Sequence, residues 1–421
     1  MTSRISQLAS QLRGTGISRH TSKNADDVVI TLAFRTPLCK AKKGGFANTL
    51  SDELLLELFK AAKANIGFDP ALVEDVCVGT VITPGSAYQA RAASLAAGFP
   101  NTTPVQTINR FCSSGLMAIQ SIANEIRNGE IEIGLALGFE HMTANPDRGV
   151  TSFCEEIMAH PEGKDCIMPM GWTSENVASD FSNVTRDRMD EFAARSYQRA
   201  EAAQKSGKFK QEIVPILAYT SLPSKGDNGA AAPRQRKTVS DDDGIRPGTT
   251  AEGLSKVKSA FPQWGKGATT GGNASQITDG GACVCLMTRR KAQELGLQII
   301  AKHVATTTVG LAPRIMGIGP SYAIPKLFSQ LNLTVSDIDL FEVNEAFASM
   351  YVYCVDKLGL PVDRTNVNGG AIALGHPLGA TGARQVATGL HELRRRKGTS
   401  LVTSMCIGTG QGAAALFIAE Y

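Results

Sequence analysis

The chain has 421 residues, which is long enough for two or three domains. Hydrophobic residues make up 43% and charged residues 19%, a composition that excludes a disordered chain. The net charge of +4 is too small to favour nucleic acid, and no apolar run approaches the roughly 20 residues that cross a bilayer. The nine cysteines are odd in number and irregularly spaced, which predicts free thiols in a reducing compartment and neither a disulfide framework nor a metal site.

The first part of the chain alternates strands with helices after a polar extension. Residues 1–26 are rich in Ser, Thr, Lys and Arg and are predicted to lie outside the fold. Apolar periodicity then predicts strands and helices that alternate as far as residue 139. The strands are predicted at 28–32, 76–81, 105–110 and 131–139, and the helices at 52–64 and 113–127. This order indicates an α/β fold with right-handed crossovers.

The middle of the chain breaks this rhythm. Residues 145–270 combine a predicted helix at 187–206 with a polar stretch, 221–248, and are interpreted as an inserted loop domain. Residues 271–297 complete the N-terminal half, 27–144, and residues 298–421 form a second α/β half with elements at 339–343, 384–395 and 400–407. These boundaries define the predicted domains.

The two halves share a pattern. Cys112-Ser-Ser-Gly precedes a helix that Gly129 ends, and a buried strand follows. His376-Pro-Leu-Gly precedes a helix that Gly398 ends, and again a buried strand follows. Pro377 suits a first helical turn, so His376 is expected at the mouth of its helix. The repeat predicts two similar halves, each presenting a reactive side chain to a site between them.

Three positions carry candidate chemistry. A thiol at a helix N-terminus is activated by the helix dipole, which favours Cys112 as a nucleophile over the alternative of a structural cysteine. His376 lies among five glycines in residues 368–382, and an imidazole beside a cysteine is a common activating pair. Cys406 ends a buried strand at a glycine turn that can direct backbone N–H groups at an oxyanion.

A further polar pair, Asn344-Glu345, follows the predicted strand 339–343. The carboxyl ends of strands are where α/β sheets place ligands, so Asn344 is a candidate for the same site. An Asx turn beside a surface carboxylate is the alternative.

Cys112-Ser-Ser-Gly, Asn344-Glu-Ala-Phe, Gly375-His-Pro and Cys406-Ile-Gly-Thr-Gly occur in an order and spacing that resemble the thiolases, above all the degradative 3-ketoacyl-CoA thiolases of peroxisomes. The resemblance runs from about Asp27 to the last residue. It implies a five-layer α/β/α/β/α fold of two pseudo-symmetric halves with an inserted loop domain, assembled as a homodimer or tetramer.

The resemblance also implies a ping-pong mechanism. Cys112, activated by His376, attacks the keto carbon of a 3-ketoacyl-CoA and forms an acyl-cysteine, and acetyl-CoA leaves as an enolate. Cys406 is the general acid and base. His376 and a water held by Asn344 stabilise one oxyanion, and the N–H groups of Cys112 and Gly408 stabilise the other. CoA then takes the acyl group, and the cycle needs no metal and no cofactor.

Four further positions match family residues that contact CoA or substrate: Ser275, Arg246, Phe347 and Met170. Pro169 stands where some short-chain biosynthetic members have histidine, which favours longer acyl chains. Phe111 replaces the glutamine usual before the nucleophile, with an effect expected on packing only. Cys166 lies just before Pro169, and we hypothesise that it forms a disulfide with Cys112 under oxidation, which disulfide mapping after mild peroxide would test.

The N-terminus resembles the type 2 peroxisomal signal, with Arg4, Ile5, Gln11 and Leu12 at the matching positions. It implies recognition by the corresponding import receptor; a mitochondrial presequence is the alternative. Three other functions stay open on the sequence: a decarboxylating ketoacyl synthase, an acetoacetyl-CoA-forming biosynthetic thiolase, and a non-catalytic acyl-CoA-binding paralogue. Ketoacyl synthases typically lack a second cysteine like Cys406, and all four motifs are intact.

Overall fold

The computed structural model describes residues 16–144, 152–225 and 232–421. Its main sheet follows the predicted alternation of strands and helices. The strands are β1 (Val28–Arg35), β2 (Cys39–Lys40), β3 (Asp75–Gly79), β4 (Val105–Ile108), β5 (Ile133–His141), β6 (Ile216–Tyr219), β7 (Arg236–Val239), β8 (Thr278–Thr288), β9 (Ala301–Gly310), β10 (Leu340–Val343), β11 (Ser400–Ile407) and β12 (Gln411–Ala419).

The helices in the described part of the chain have between four and 20 residues, and the longest of them lies in the inserted region. They are α1 (Ser51–Asn65), α2 (Ser86–Ala97), α3 (Ser114–Arg127), α4 (Glu155–Ala159), α5 (Met170–Asp180), α6 (Arg186–Lys205), α7 (Ala251–Ser255), α8 (Arg289–Glu294), α9 (Pro320–Leu331), α10 (Ala348–Leu358), α11 (Ala371–Leu374) and α12 (Thr381–Arg396). On α3, the apolar side chains at helical spacing from Leu116 to Ile126 are buried, as the periodicity predicts.

The two halves have the same strand order. In the N-terminal half the order is β4-β3-β5-β8-β1, with β3 parallel to β4 and β5, and β8 antiparallel to β5 and β1. In the C-terminal half it is β10-β11-β12-β9, with β10 parallel to β11, and β12 antiparallel to β11 and β9. A parallel bridge from Thr365 to Phe341 stands where the first half has β4. The predicted internal repeat is therefore a repeat of topology.

The halves join through two contacts. Strands β1 and β9 pair over Val29–Lys302 and Ile30–Ala301, which links the halves into one path of nine strands, and β2 joins the sheet by pairing with β8. Helices α3 and α12 pack against each other and against strands of both halves, in one apolar cluster that includes Leu116, Leu393 and Phe417. Helices α1 and α2 lie outside the first half and α9 and α10 outside the second. The layers are α/β/α/β/α.

The inserted region packs on both halves. Helix α6 presents Phe192 to α10, where its ring stacks on Tyr351 with centroids 3.8 Å apart. The polar stretch 221–248, predicted to be a loop, contains strand β7, which pairs with β6. That strand was missed because its side chains are mostly exposed and carry no alternating apolar signal. The domain boundaries stay a prediction.

Candidate active site

Cys112 lies in a strained connection between β4 and α3. Phe111 has φ of +44°, a left-handed conformation that is rare for a bulky side chain. Its N–H donates to Asn109 Oδ1 at 3.0 Å, and Ser113 Oγ donates to the carbonyl of Arg110 at 2.8 Å. The turn puts Cys112, 8% exposed, two residues before the first residue of α3, so the thiol adjoins the N-terminus of that helix.

His376 lies in a turn before α12. The backbone N–H of His376 donates to the carbonyl of Gln276 at 3.0 Å, and Gly375 precedes it with φ of +105°. The expectation that Pro377 lies in the first helical turn was wrong, because α12 begins at Thr381. The four residues between form a turn whose backbone is needed for a contact with the other half.

That contact fixes the histidine turn on the N-terminal half. A side chain at Gly379 would put its Cβ 2.3 Å from the carbonyl of Phe139 and 2.6 Å from that of Gly79, so the turn lies directly on β5 and β3. Glu140, fully buried at the end of β5, accepts the N–H of Gly379 at 3.0 Å and that of Val81 at 3.0 Å. The turn that carries His376 is therefore held at the carboxyl ends of β3 and β5.

The imidazole of His376 has two polar neighbours. Its Nε2 lies 3.3 Å from Asn344 Nδ2, and its Nδ1 lies 2.6 Å from Thr381 Oγ1. Burial, with a smaller effect of the Arg384 cation, lowers the pKa of His376 to about 3. The ring is neutral at physiological pH, which leaves one nitrogen free to accept a proton.

Cys406 lies near the end of β11 and is 1% exposed. Burial, and then the neighbouring Cys112 and Cys354 thiols, raise the pKa of Cys406 well above its usual value. A side chain at Gly408, two residues further on, would meet the Phe111 ring at 3.3 Å, so the turn after β11 touches the turn that holds Cys112. A thiol that stays protonated is suited to donate a proton to a carbanion.

Asn344 follows β10 and is buried. Its N–H donates to the carbonyl of Ser404 at 2.9 Å, while its Oδ1 has no hydrogen-bond partner among the described residues. An unpaired buried amide oxygen can hold a water or a substrate group. Glu345 is not the surface carboxylate of the alternative reading: it is buried and accepts hydrogen bonds from Ser196 and Asn366.

Three of the four residues matched to CoA contacts are gathered beside the start of α10. Ser275 donates its N–H to the carbonyl of Ala346 at 3.0 Å, next to Phe347. Arg246 Nη1 donates to the carbonyl of Gly271 at 3.1 Å, in the segment that leads to Ser275. The segment, the arginine and the phenylalanine thus form one region.

Met170 begins α5, which a 2.8 Å hydrogen bond between Ser174 and Ser349 ties to α10. Cys166 lies in a short helical turn, Gly163–Ile167, and is partly exposed. None of the nine cysteines, which all lie in the described part of the chain, forms a disulfide in this structure. The Cys112–Cys166 disulfide stays a prediction.

The remaining predictions concern the N-terminal signal, metal binding and membrane spans. The signal-like residues Arg4, Ile5, Gln11 and Leu12 are outside the described ranges. Within those ranges, no three or more His, Cys, Asp or Glu side chains are grouped to hold a metal ion. No helix in the described part of the chain combines the length and the apolar character that a membrane span requires.

Sequence reasoning missed two residues that hold the site. Glu140 directly follows the apolar residues of a predicted core strand. The one signal in the sequence was a carboxylate in an otherwise apolar stretch. Thr381 reads as an ordinary early helix residue, five positions after His376. A hydroxyl at that spacing from a candidate catalytic histidine was the available signal.

The comparisons with known proteins cover nearly the whole chain. Residues 28–290 match the thiolase N-terminal domain and residues 297–419 the thiolase C-terminal domain. The chain is 50% identical over 422 residues to the peroxisomal 3-ketoacyl-CoA thiolase of Yarrowia lipolytica, covering 99% of this chain and 100% of that one. It is 48% identical to the peroxisomal 3-ketoacyl-CoA thiolase of Homo sapiens, covering 94% and 91%.

Solved structures agree with the five-layer description. The crystal structure of the dimeric peroxisomal thiolase of Saccharomyces cerevisiae is 45% identical with a TM-score of 0.86, covering 95% of this chain and 99% of that one. Human mitochondrial 3-ketoacyl-CoA thiolase in complex with CoA is 33% identical with a TM-score of 0.80, covering 95% and 100%. The two domain matches, the repeated topology and the four motifs lead to one conclusion: this chain belongs to the thiolase family.

Proposed function

We propose that this chain cleaves 3-ketoacyl-CoA with CoA, giving acetyl-CoA and an acyl-CoA two carbons shorter, as the last step of a fatty-acid β-oxidation cycle. The observation that supports the proposal is the grouping, at the junction of the two halves, of two buried thiols, a buried imidazole and a buried amide oxygen that has no hydrogen-bond partner among the described residues. Those groups are Cys112, Cys406, His376 and Asn344. The relatives named above support the substrate class.

The acylation half follows from these groups. His376 Nε2 takes the proton of the Cys112 thiol, and the thiolate attacks the 3-keto carbon. Collapse of the adduct breaks the bond between C2 and C3, leaving an acyl-Cys112 thioester and the enolate of acetyl-CoA. The imidazole of His376 and a water held by Asn344 are proposed to stabilise the enolate oxyanion. Cys406 then gives its proton to C2, and acetyl-CoA leaves.

The deacylation half reverses the roles. The Cys406 thiolate takes the proton of free CoA, and the CoA sulfur attacks the acyl-Cys112 carbonyl. The N–H groups of Cys112 and Gly408 are proposed to bind that oxyanion. The Cys112 thiolate leaves as the new thioester forms and takes its proton back from His376 Nε2, so that both cysteines and the imidazole return to their starting state. Every step is a proton transfer or an acyl transfer, so the scheme is redox-neutral and calls on no cofactor beyond the substrates.

The substrate-binding part of the proposal rests on the region beside α10. Ser275, Arg246 and Phe347 are proposed to contact CoA, with Arg246 offering the cation that a phosphate requires. Met170 is proposed to line the acyl path.

Assembly, location and redox control complete the proposal. The chain is proposed to form a homodimer in the peroxisome, as the names of its relatives suggest. Import through the type 2-like signal is tested by Arg4→Ala in the full chain, which should leave the protein in the cytosol. The Cys112–Cys166 disulfide would inactivate the enzyme until it is reduced.

The test is CoA-dependent cleavage of 3-ketoacyl-CoA substrates of several chain lengths by wild type, Cys112→Ala and Cys406→Ala. Wild type should turn over, and both variants should lose turnover because each lacks one of the two thiol roles. Cys154→Ala removes an exposed thiol elsewhere and is the matched control.

The other outcomes separate the alternatives. Turnover confined to acetoacetyl-CoA would point to the biosynthetic thiolase. A folded wild type that binds acyl-CoA without turnover would point to the non-catalytic paralogue. Turnover that survives Cys406→Ala would contradict the two-thiol scheme.

A further inference from the structure

The Nδ1 side of His376 faces a single hydroxyl. Thr381 Oγ1 lies 2.6 Å from this nitrogen, and the same oxygen lies 3.0 Å from the carbonyl oxygen of Pro377. Thr381 and His376 are both buried, at 0% and 5% exposure. The histidine, the threonine and the proline carbonyl therefore form a short chain of hydrogen bonds shielded from water.

The chemistry of that chain gives it a direction. A carbonyl oxygen only accepts, and a threonine hydroxyl has one proton to donate. When that proton goes to Pro377, the hydroxyl oxygen faces Nδ1 with its lone pairs and stabilises a proton on that nitrogen. A neutral imidazole has one N–H, so Nε2 is left as the acceptor.

The other side of the ring fits this arrangement. Asn344 Nδ2 lies 3.3 Å from Nε2 and can donate to an unprotonated nitrogen. Its amide oxygen then remains the unpaired buried atom. The opposite tautomer would require Thr381 to donate to Nδ1 and the Asn344 amide to turn its oxygen towards Nε2.

We propose that Thr381 is a positioning residue: its hydroxyl holds His376 in the tautomer with the proton on Nδ1, so that Nε2 is ready to accept the proton of the Cys112 thiol. The residue touches neither substrate nor reacting atoms and acts through the imidazole. The kinetic part of this proposal rests on the proposed function, whereas the tautomer itself does not.

The first experiment reads the tautomer without turnover. The chain has six histidines, so ¹⁵N-histidine labelling gives few signals, and His376→Asn identifies the pair that belongs to His376. Long-range ¹H–¹⁵N correlation spectra of wild type should show a protonated Nδ1 and an unprotonated Nε2. A wild-type spectrum with the proton on Nε2 would overturn the proposal whether or not any variant folds.

The second experiment pairs Thr381→Val, which keeps the shape and removes the hydroxyl, with Thr381→Ser, which keeps the hydroxyl. Thr381→Val should shift the tautomer and lower kcat by roughly 10²- to 10⁴-fold, the range that general-base catalysis supplies, with KM changed less than about threefold. Thr381→Ser should keep both the tautomer and most of the activity.

Three results would contradict the positioning role. They are a wild-type kcat in Thr381→Val, an unshifted tautomer in that variant, or equal losses of activity in both variants, which would assign the effect to packing at this position and not to the hydroxyl. Absence of turnover in wild type would instead refute the proposed function and leave the tautomer result standing.

Discussion

At the scale of single residues, burial separates the acid from the base. The same removal from water that lowers the pKa of the His376 imidazole raises that of the Cys406 thiol, because burial disfavours the charged form of each. Both groups are therefore neutral before substrate arrives, one ready to accept a proton and the other ready to donate one. Environments that shift the pKa values of two groups in opposite directions indicate which group is the acid and which is the base.

The buried imidazole predicts a pH dependence of stability. The pKa of His376 is about 3 in the folded chain and 6.5 in its ordinary state, so between these values the unfolded chain binds the extra proton. Its contribution is complete above pH 6.5 and is lost as the pH falls towards 3. At pH 5 the loss relative to pH 7 is on the order of 2 kcal/mol.

His376→Asn removes this titration. Between pH 7 and pH 5, the free energy of unfolding of the variant should therefore fall by about 2 kcal/mol less than that of wild type. Urea unfolding at the two pH values measures the difference, and the other histidines titrate equally in both proteins. An equal fall in the two proteins would contradict a buried neutral His376.

At the scale of elements, glycines set the distance between α3 and α12. A Cβ at Gly382 on α12 would lie 2.3 Å from the backbone nitrogen of Leu116, and one at Gly115 on α3 would lie 2.7 Å from the carbonyl of Gly379. Backbone atoms cannot move aside as a side chain can. The two helices that follow Cys112 and His376 approach this closely because neither has a side chain at the contact.

Gly382→Ala should therefore push the helices apart. We expect a loss of about 1–3 kcal/mol in the free energy of unfolding, as for overpacked cores, together with a marked fall in kcat. Urea unfolding and turnover measure the two effects. Gly389→Ala is the control on the same helix, since its Cβ would meet only the side chain of Leu401, at 2.6 Å, which can change rotamer. Equal effects of the two substitutions would show that the backbone contact does not set the distance.

The sequence predicted the elements better than their ends at the site. Strand β11 was predicted at its observed bounds, 400–407, because a short run of mostly apolar residues is a direct sequence signal of a buried strand. The expectation that Pro377 lies in the first turn of α12 was wrong, because the turn around Gly379 contacts the other half and apolar periodicity does not show a close approach of the backbone. The roles of Glu140 and Thr381 were not predicted because each depends on a tertiary contact. Glu140 bonds to Gly379, which is distant in sequence, and Thr381 meets His376 only because the turn between them brings the two side chains together.

At the scale of the whole molecule, one sheet edge is left open. Strand β4 ends the path, and no strand in the described part of the chain pairs with its outer side. Val76 N–H donates to the carbonyl of Pro104 and Thr80 N–H to that of Ile108, each at 3.2 Å. Since backbone groups alternate sides along a strand, the N–H of Thr107 points outward. An open edge is a template for pairing with a second copy of the chain.

Thr107→Pro should therefore weaken the proposed dimer. Proline removes the outward N–H and leaves the bonds to β3 in place, as edge strands tolerate. Sedimentation velocity at micromolar concentration should show a shift towards monomer, and circular dichroism checks that the fold is kept. Thr107→Ala retains the N–H and should remain dimeric. A Thr107→Pro variant that stays fully dimeric would place the interface elsewhere.

The repeated strand order has a consequence for the ancestry of the chemistry. An ancestor made of one half, paired with an identical copy, would place the same residue on both sides of the junction. Here the equivalent turns carry a thiol on one side and an imidazole on the other, at Cys112 and His376. A chain that contains both copies encodes each turn separately, so that each can mutate independently while the shared scaffold keeps the two turns face to face.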